Sequence, residues 1–223
     1  RLAALSAARL TLTSAGAVNL FDDVSLDVDA LQIDAAGLAG SGGGARVLRA
    51  GALTLTNSLD ANAPVGLPAA GRLRLEADTL DLGDGEFALL GFGDVQVAAR
   101  RGVRLAGRGA LRAGADLALA TPGVTAVAGA DYALLAEDGG TRFDLALRAS
   151  PGAAPRADLA FGARLALRGD AIDLATTFTL PAGALSVDAR DDITLARGAR
   201  LDLAGRVVDF AGAKALAPGG RVD

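Results

Sequence analysis

The chain has 223 residues, a formal net charge of −4 and a pI near 4.9, a balance that gives nucleic acid no electrostatic foothold, because phosphate binding needs a surplus of Lys and Arg on one face. It contains no Cys and no His, which excludes disulfide staples, thiolate or imidazole metal sites, and every catalytic triad with an imidazole base. Half of it is hydrophobic but only 4% is aromatic, so a sizeable core can form, filled by Ala, Leu and Val rather than by bulky rings.

In chain order, the opening stretch RLAALSAARLTLTS starts in mid-pattern, without Met, charged n-region, apolar core or cleavage site, and reads as part of something longer. Asp22, Asp23, Asp27, Asp29 and Asp34 make an acidic run. Asp27 and Asp29 alternate with Leu26 and Val28, as the outward residues of a strand do. GLAGSGGG at 37–44 is expected to be a loose loop. It is no phosphate cradle, since the Lys-Ser/Thr pair and a following helix are missing.

From Gly51 onward one pattern recurs: a Gly, two apolar residues at alternate positions, a turn, and another alternating pair. GALTLTNSLDA begins at Gly51, GRLRLEADTLDL at Gly71, GDVQVAARRGVRL at Gly93, GADLALATPGVTAV at Gly114, GARLALRGDAIDL at Gly162 and GALSVDARDDITL at Gly183. The starts lie 20, 22, 21, 48 and 21 residues apart, and the 48 is read as two repeats with an insertion. In the better repeats the pairs come in threes: Leu73/Leu75, Leu80/Leu82 and Phe87/Leu89, or Leu185/Val187, Ile193/Leu195 and Leu201/Leu203. Period two argues for strands, and a unit of about 21 residues buries its aliphatic face only by stacking on its neighbours. The predicted fold is an all-β parallel β-helix, a three-sided solenoid over residues 1–223. Some ten coils would span roughly 50 Å.

The apolar stretch LALATPGVTAVAGADYALLA at 117–136 carries one charge, Asp131. Its Pro, its glycines and its period-two spacing make it one coil with an apolar outer face rather than a membrane span. Tyr132 is placed as an inward or corner packing residue. Residues 137–160, with EDGG, FDLALRA and SPGAAPR, are the expected excursion from the stack, as a protruding hairpin or a slack coil. Arg168, Gly169 and Asp170 spell an adhesion tripeptide at a turn, with RRG at 100–102 and ARDD at 189–192 expected in the same slot. In a chain so rich in these residues a structural turn is the stronger reading. Asp78, Asp81 and Asp84 form a second acidic run, read as a solvated face.

ATPGVTAVAGADYALLAEDGG at 120–140 and GALSVDARDDITLARGARLDLAG at 183–205 resemble the shaft of filamentous haemagglutinin-like exoproteins of two-partner secretion systems, with the likeness running from about residue 50 onward. The resemblance implies a right-handed parallel β-helical fibre on a Gram-negative cell surface. Such a fibre serves adhesion, through a host-cell or neighbouring-cell receptor, or carries a distal toxin in contact-dependent inhibition. The family's outer-membrane transporter engages an N-terminal domain with Asn-Pro-rich motifs, and Asn19, Asn57 and Asn62 form no such motif. An autotransporter passenger would share the solenoid. No cofactor, metal or catalytic residue is expected. The rival is a polysaccharide-acting β-helix enzyme or carbohydrate-binding module, which would gather acids, Arg and aromatics onto one face; scattered charges favour the shaft.

Overall fold

In the computed structural model, which describes residues 8–152, 161–210 and 213–223, every regular element is a β-strand. The chain winds through β1 (Arg9–Thr13), β2 (Ala17–Phe21), β3 (Val24–Asp34), β4 (Gly37–Ser41), β5 (Ala45–Thr56), β6 (Arg72–Leu82), β7 (Gly85–Leu90), β8 (Asp94–Leu105) and β9 (Arg108–Ala113). It continues through β10 (Leu117–Thr121), β11 (Val124–Ala126), β12 (Asp131–Asp138), β13 (Thr141–Arg142), β14 (Leu145–Ala149), β15 (Arg164–Gly169), β16 (Ile172–Leu174), β17 (Thr177–Thr179) and β18 (Ala184–Ala189). Last come β19 (Ile193–Leu195), β20 (Arg200–Asp202), β21 (Val207–Phe210), β22 (Ala213–Leu216) and β23 (Arg221–Val222). Apart from the hairpins β12–β13 and β21–β22, all pairings are parallel, each strand lying on its equivalent one turn away.

Period-two alternation becomes three columns of aliphatic side chains. On the first side Leu26, Leu48, Leu75, Val97, Leu119, Leu147, Leu174 and Leu195 stand in register. On the second, Leu10, Leu31, Leu53, Leu80, Val103, Val124, Phe178 and Leu201 do the same. Leu111, Leu134, Leu167 and Val187 belong to the third. The first two sides share the long strands β3, β5, β6 and β8, which bend where Asp29, Gly51, Asp78 and Arg100 drop out of the ladder. At that bend a Cβ on Gly51 would lie 2.7 Å from the Asp29 carbonyl oxygen, so the corner is as tight as a backbone allows.

The solenoid therefore stands, with about eight turns and a spacing of about 23 residues rather than ten and 21. At about 4.8 Å per turn it is roughly 38 Å long. The turn count falls because the chain leaves the stack more than once. The turn of β5 has no third-side strand: β4 pairs directly with β7, and residues 57–70 run outside. Asn57 roots this segment, its side chain donating to the Ala61 and Glu86 carbonyls at 2.8 and 2.9 Å and accepting from the Ala61 N–H at 2.9 Å. At the far end the Ala70 N–H donates to the Gly91 carbonyl. Between these anchors Ala39, Ala88 and Leu90 are buried although they point away from the core. In the turn of β14 it is the second side that is skipped, and β11 pairs directly with β17. There the Thr176 hydroxyl donates to the buried Thr121 carbonyl at 2.7 Å.

Three expectations need correction. The first five residues of the Gly-rich stretch are not loop but strand β4, between β2 and β7. These glycines serve close approach: the Ala88 backbone abuts Gly37, and the Phe92 ring fills the place of a Gly40 side chain. The repeats quoted from Gly162 and Gly183 are out of phase with the earlier ones. Their leading pairs, Leu165/Leu167 and Leu185/Val187, lie on the third side in register with Tyr132/Leu134, whereas Leu73/Leu75 lie on the first. Alternation reports only which residues face inward, and all three sides alternate alike. Finally, within 137–160 the hairpin is real but short, with Glu137 and Asp138 paired to Arg142 and Thr141 around Gly139 and Gly140, both at positive φ. FDLALRA supplies the ordinary rung β14, and residues 153–160 lie outside the described residues.

Candidate functional site

The outward positions decide what the surface can do. On the first side Glu76 accepts from Arg49 at 2.9 Å and Arg74 at 2.6 Å. On the second, Arg104 donates through Nε and Nη2 to the two carboxylate oxygens of Asp81, and Arg100 meets Asp78 at 3.3 Å. On the third, Arg112 bridges Glu86 and Asp138 at 2.6 and 3.0 Å, and Arg168 lies between Asp188 at 3.0 Å and Glu137 at 3.7 Å. Most of these pairs join one turn to the next. They spread over all three sides instead of converging.

Three members of the acidic runs, and two further Asp, have a different use. Asp23, Asp34, Asp84, Asp116 and Asp144 each turn a carboxylate oxygen to a backbone N–H one turn further on, at Ala45, Ser58, Arg108, Asp144 and Ala171, at 2.7 to 3.2 Å. A corner leaves amide donors outside the ladder, and a short carboxylate satisfies them. Among the described residues no group of three or more acids is placed to hold a metal ion.

Arg168 and Gly169 end β15, and Asp170 follows in the bend before β16. The corner slot is shared with 189–192, as expected, but not with Arg100–Gly102, which lie within β8. Gly169 is buried, where a Cβ would meet the Phe143 carbonyl at 3.0 Å. Both charged members are occupied, Arg168 by Asp188 and Glu137, Asp170 by Arg190 at 3.8 Å. The tripeptide is thus one rung of a corner ladder rather than a projecting tip.

The β12–β13 hairpin leans over this corner. Arg142 forks onto Asp188 at 3.1 and 2.9 Å, 46 residues away, and Arg190 reaches the Gly140 carbonyl at 3.4 Å. Hydrogen bonds from Arg142, joined by Arg168, hold the Asp188 carboxyl below its ordinary range. A carboxylate with a lowered folded pKa stabilises above its unfolded pKa and loses that contribution as pH falls through the folded value. Protection of the amides at residues 139–142, relative to the intrinsic exchange rate at each pH, is therefore expected to hold until the pH drops below about 4 and then to fall. Asp188→Asn should show the lower protection already at neutral pH, as read by hydrogen-exchange mass spectrometry.

Two inward groups complete the inventory. Tyr132 is 2% exposed, packed inside as expected, and burial, with Asp84 and Glu86 adding to it, pushes its phenol far above the usual range. Arg46, fully buried, takes a core position that Val24 and Leu73 fill in the adjoining turns. Its guanidinium donates to the carbonyls of Ser41, Gly42, Gly44 and Ala70 and stands 5.8 Å from the centroid of the Phe92 ring. Sequence reasoning missed it, although an Arg in a column of Leu and Val was the available signal.

No family model, curated protein or solved structure matches the chain. The surface must therefore be read from its own geometry, which is that of a β-solenoid with a shaft-like form and self-neutralising sides. No helix of the described residues is long and apolar enough to cross a membrane, and residues 117–136 form β10, β11 and the start of β12.

Proposed function

We propose that the chain is a structural shaft segment of a secreted bacterial surface fibre, serving adhesion or the display of a distal effector in contact-dependent inhibition. One observation carries the shaft reading: outward Arg and acidic residues pair from turn to turn on all three sides, which stiffens a rod and, among the described residues, spreads the acids instead of converging them as sugar chemistry requires. The repeat style of residues 120–140 and 183–205, like that of filamentous haemagglutinin-like exoproteins, supports the secreted setting. An outer-membrane two-partner transporter and a receptor on a host or neighbouring cell are the partners this reading brings with it.

Antibodies raised against the chain should label intact cells of the source bacterium, and external protease should remove the label. Labelling that requires lysis would overturn the surface setting. Incubation with acidic polysaccharides, with and without calcium, should release no new reducing or unsaturated ends; release of either would replace the shaft with the enzyme.

A further inference from the structure

The segment 57–70, which runs outside the stack where a third-side strand is missing, is tied at both ends and free in the middle. Ser58 donates its N–H and its hydroxyl to the Asp34 carboxylate at 2.8 and 2.6 Å, the Asp60 N–H reaches the Asn57 carbonyl, and the Asn57 side chain holds both backbone groups of Ala61. At the other end the Ala70 N–H donates to Gly91 and its carbonyl accepts from Arg46. Between these ties, among the described residues, no backbone group of residues 62–69 is hydrogen-bonded. Val65 is 78% exposed, Gly66 is exposed beside it, and nothing stands within 4 Å of where a Gly66 Cβ would lie. A protease takes its substrate as an added strand held by main-chain bonds, so it needs a stretch of this kind, unpaired and open to solvent.

The side chains decide which protease fits. Residues 50–71 contain no Lys, Arg, Phe, Tyr or Trp, so a protease with an acidic or a deep aromatic pocket finds nothing to seize. Leu59 lies in the tied turn, next to Asp60 with its φ of 50°. Ala63 and Leu67 each precede a proline, whose ring crowds the leaving nitrogen. The nitrogen of the Ala69–Ala70 bond is engaged with Gly91. The bond left with a small aliphatic side chain before it is Val65–Gly66, midway between the ties at Ala61 and Ala70.

We propose that Val65–Gly66 is a processing site for an elastase-type serine protease, one whose shallow apolar pocket takes valine. The protease hydroxyl attacks the Val65 carbonyl carbon, the C–N bond breaks as a proton passes to the Gly66 nitrogen, and water then releases the acyl group. One water is consumed, leaving a carboxylate on Val65 and an amine on Gly66. Gly66 has a φ of 66°, and with no Cβ it flattens into the extended form the attack requires at little steric cost. The nick does not divide the molecule, because the β5–β6 and β4–β7 ladders join the two sides of the cut. The site follows from the geometry of the segment and not from the secreted setting, so its failure would leave the proposed function intact.

Neutrophil elastase at limiting dose, read by mass spectrometry, should cut residues 57–70 once, between Val65 and Gly66. The fragments should co-elute from a sizing column and part only in denaturant. Val65→Asp, at an exposed position, should slow the cut by roughly a hundredfold, the penalty for placing a charge in an apolar pocket. Val65→Arg should transfer the cut to trypsin, which leaves residues 57–70 of the parent whole, because the backbone presents the bond and the side chain selects the protease. A bond left intact while the free peptide of residues 57–70 is cut there, a cut after Leu59 or Ala69 instead, no trypsin cut in Val65→Arg, or fragments that separate without denaturant would each overturn the proposal.

Discussion

Arg46→Leu is expected to destabilise the protein by on the order of 3 kcal/mol, although the replacement matches the aliphatic neighbours above and below it. Burying a charge is costly, and exchanging a buried ion pair for hydrophobic residues is often neutral or favourable. That reasoning needs both partners to be replaced. Here the partners are backbone carbonyls, which no substitution removes. Ser41 and Gly44 keep second bonds from the Asp22 and Arg72 amides. Among the described residues the Gly42 and Ala70 carbonyls have no such second bond. Gly42 is exposed and water can serve it, but Ala70 is half-buried, and its lost bond, at roughly 1–3 kcal/mol, together with the space left beside Phe92 where the guanidinium stood, outweighs the relief of losing a desolvated charge. The loss should be local. Hydrogen exchange should rise in β4, β5 and residues 57–70 while β16–β18 stay protected. A variant as stable as the parent in urea would show that Arg46 holds nothing together.

Phe92→Ala should cost about 3–5 kcal/mol, the range for emptying a buried aromatic site. The ring is 1% exposed and packs against Gly40, where a Cβ would lie 2.5 Å from its edge. Gly40→Ala alone should therefore also destabilise, by about 1–3 kcal/mol through overpacking. Together the two should cost less than their sum, because each relieves the other: the ring's removal takes away the two closest contacts of the methyl, leaving the Gly91 carbonyl oxygen at 2.9 Å, and the methyl fills part of the cavity. Urea midpoints of the four proteins in the cycle measure the coupling. Strict additivity would mean that Gly40 and Phe92 do not share one space.

The first prediction concerns a residue that escaped sequence reasoning, the second a stretch that was misread, and both misses have one source. Leu73, Leu75, Leu80 and Leu82 announced their strand and its inward face because alternation is a property of the backbone itself. Gly40 gave no such signal, since a glycine kept for close packing and a glycine kept for a turn look alike until Phe92 is in place. Asp84 was recognised as part of a solvated face but not as a cap, because the amide it satisfies lies a full turn away.

The sequence by itself determined that this chain is strand throughout its regular parts, that small aliphatic residues line its interior, and that its turns must stack to bury them. It did so through spacing between near neighbours, which local stereochemistry reads out directly. Only the tertiary structure decided which side each strand occupies, where a side is skipped, and which Arg meets which acid. Those choices rest on contacts between residues some 20 to 50 positions apart, and three sides with the same two-residue rhythm are told apart only by what comes to lie above and below them.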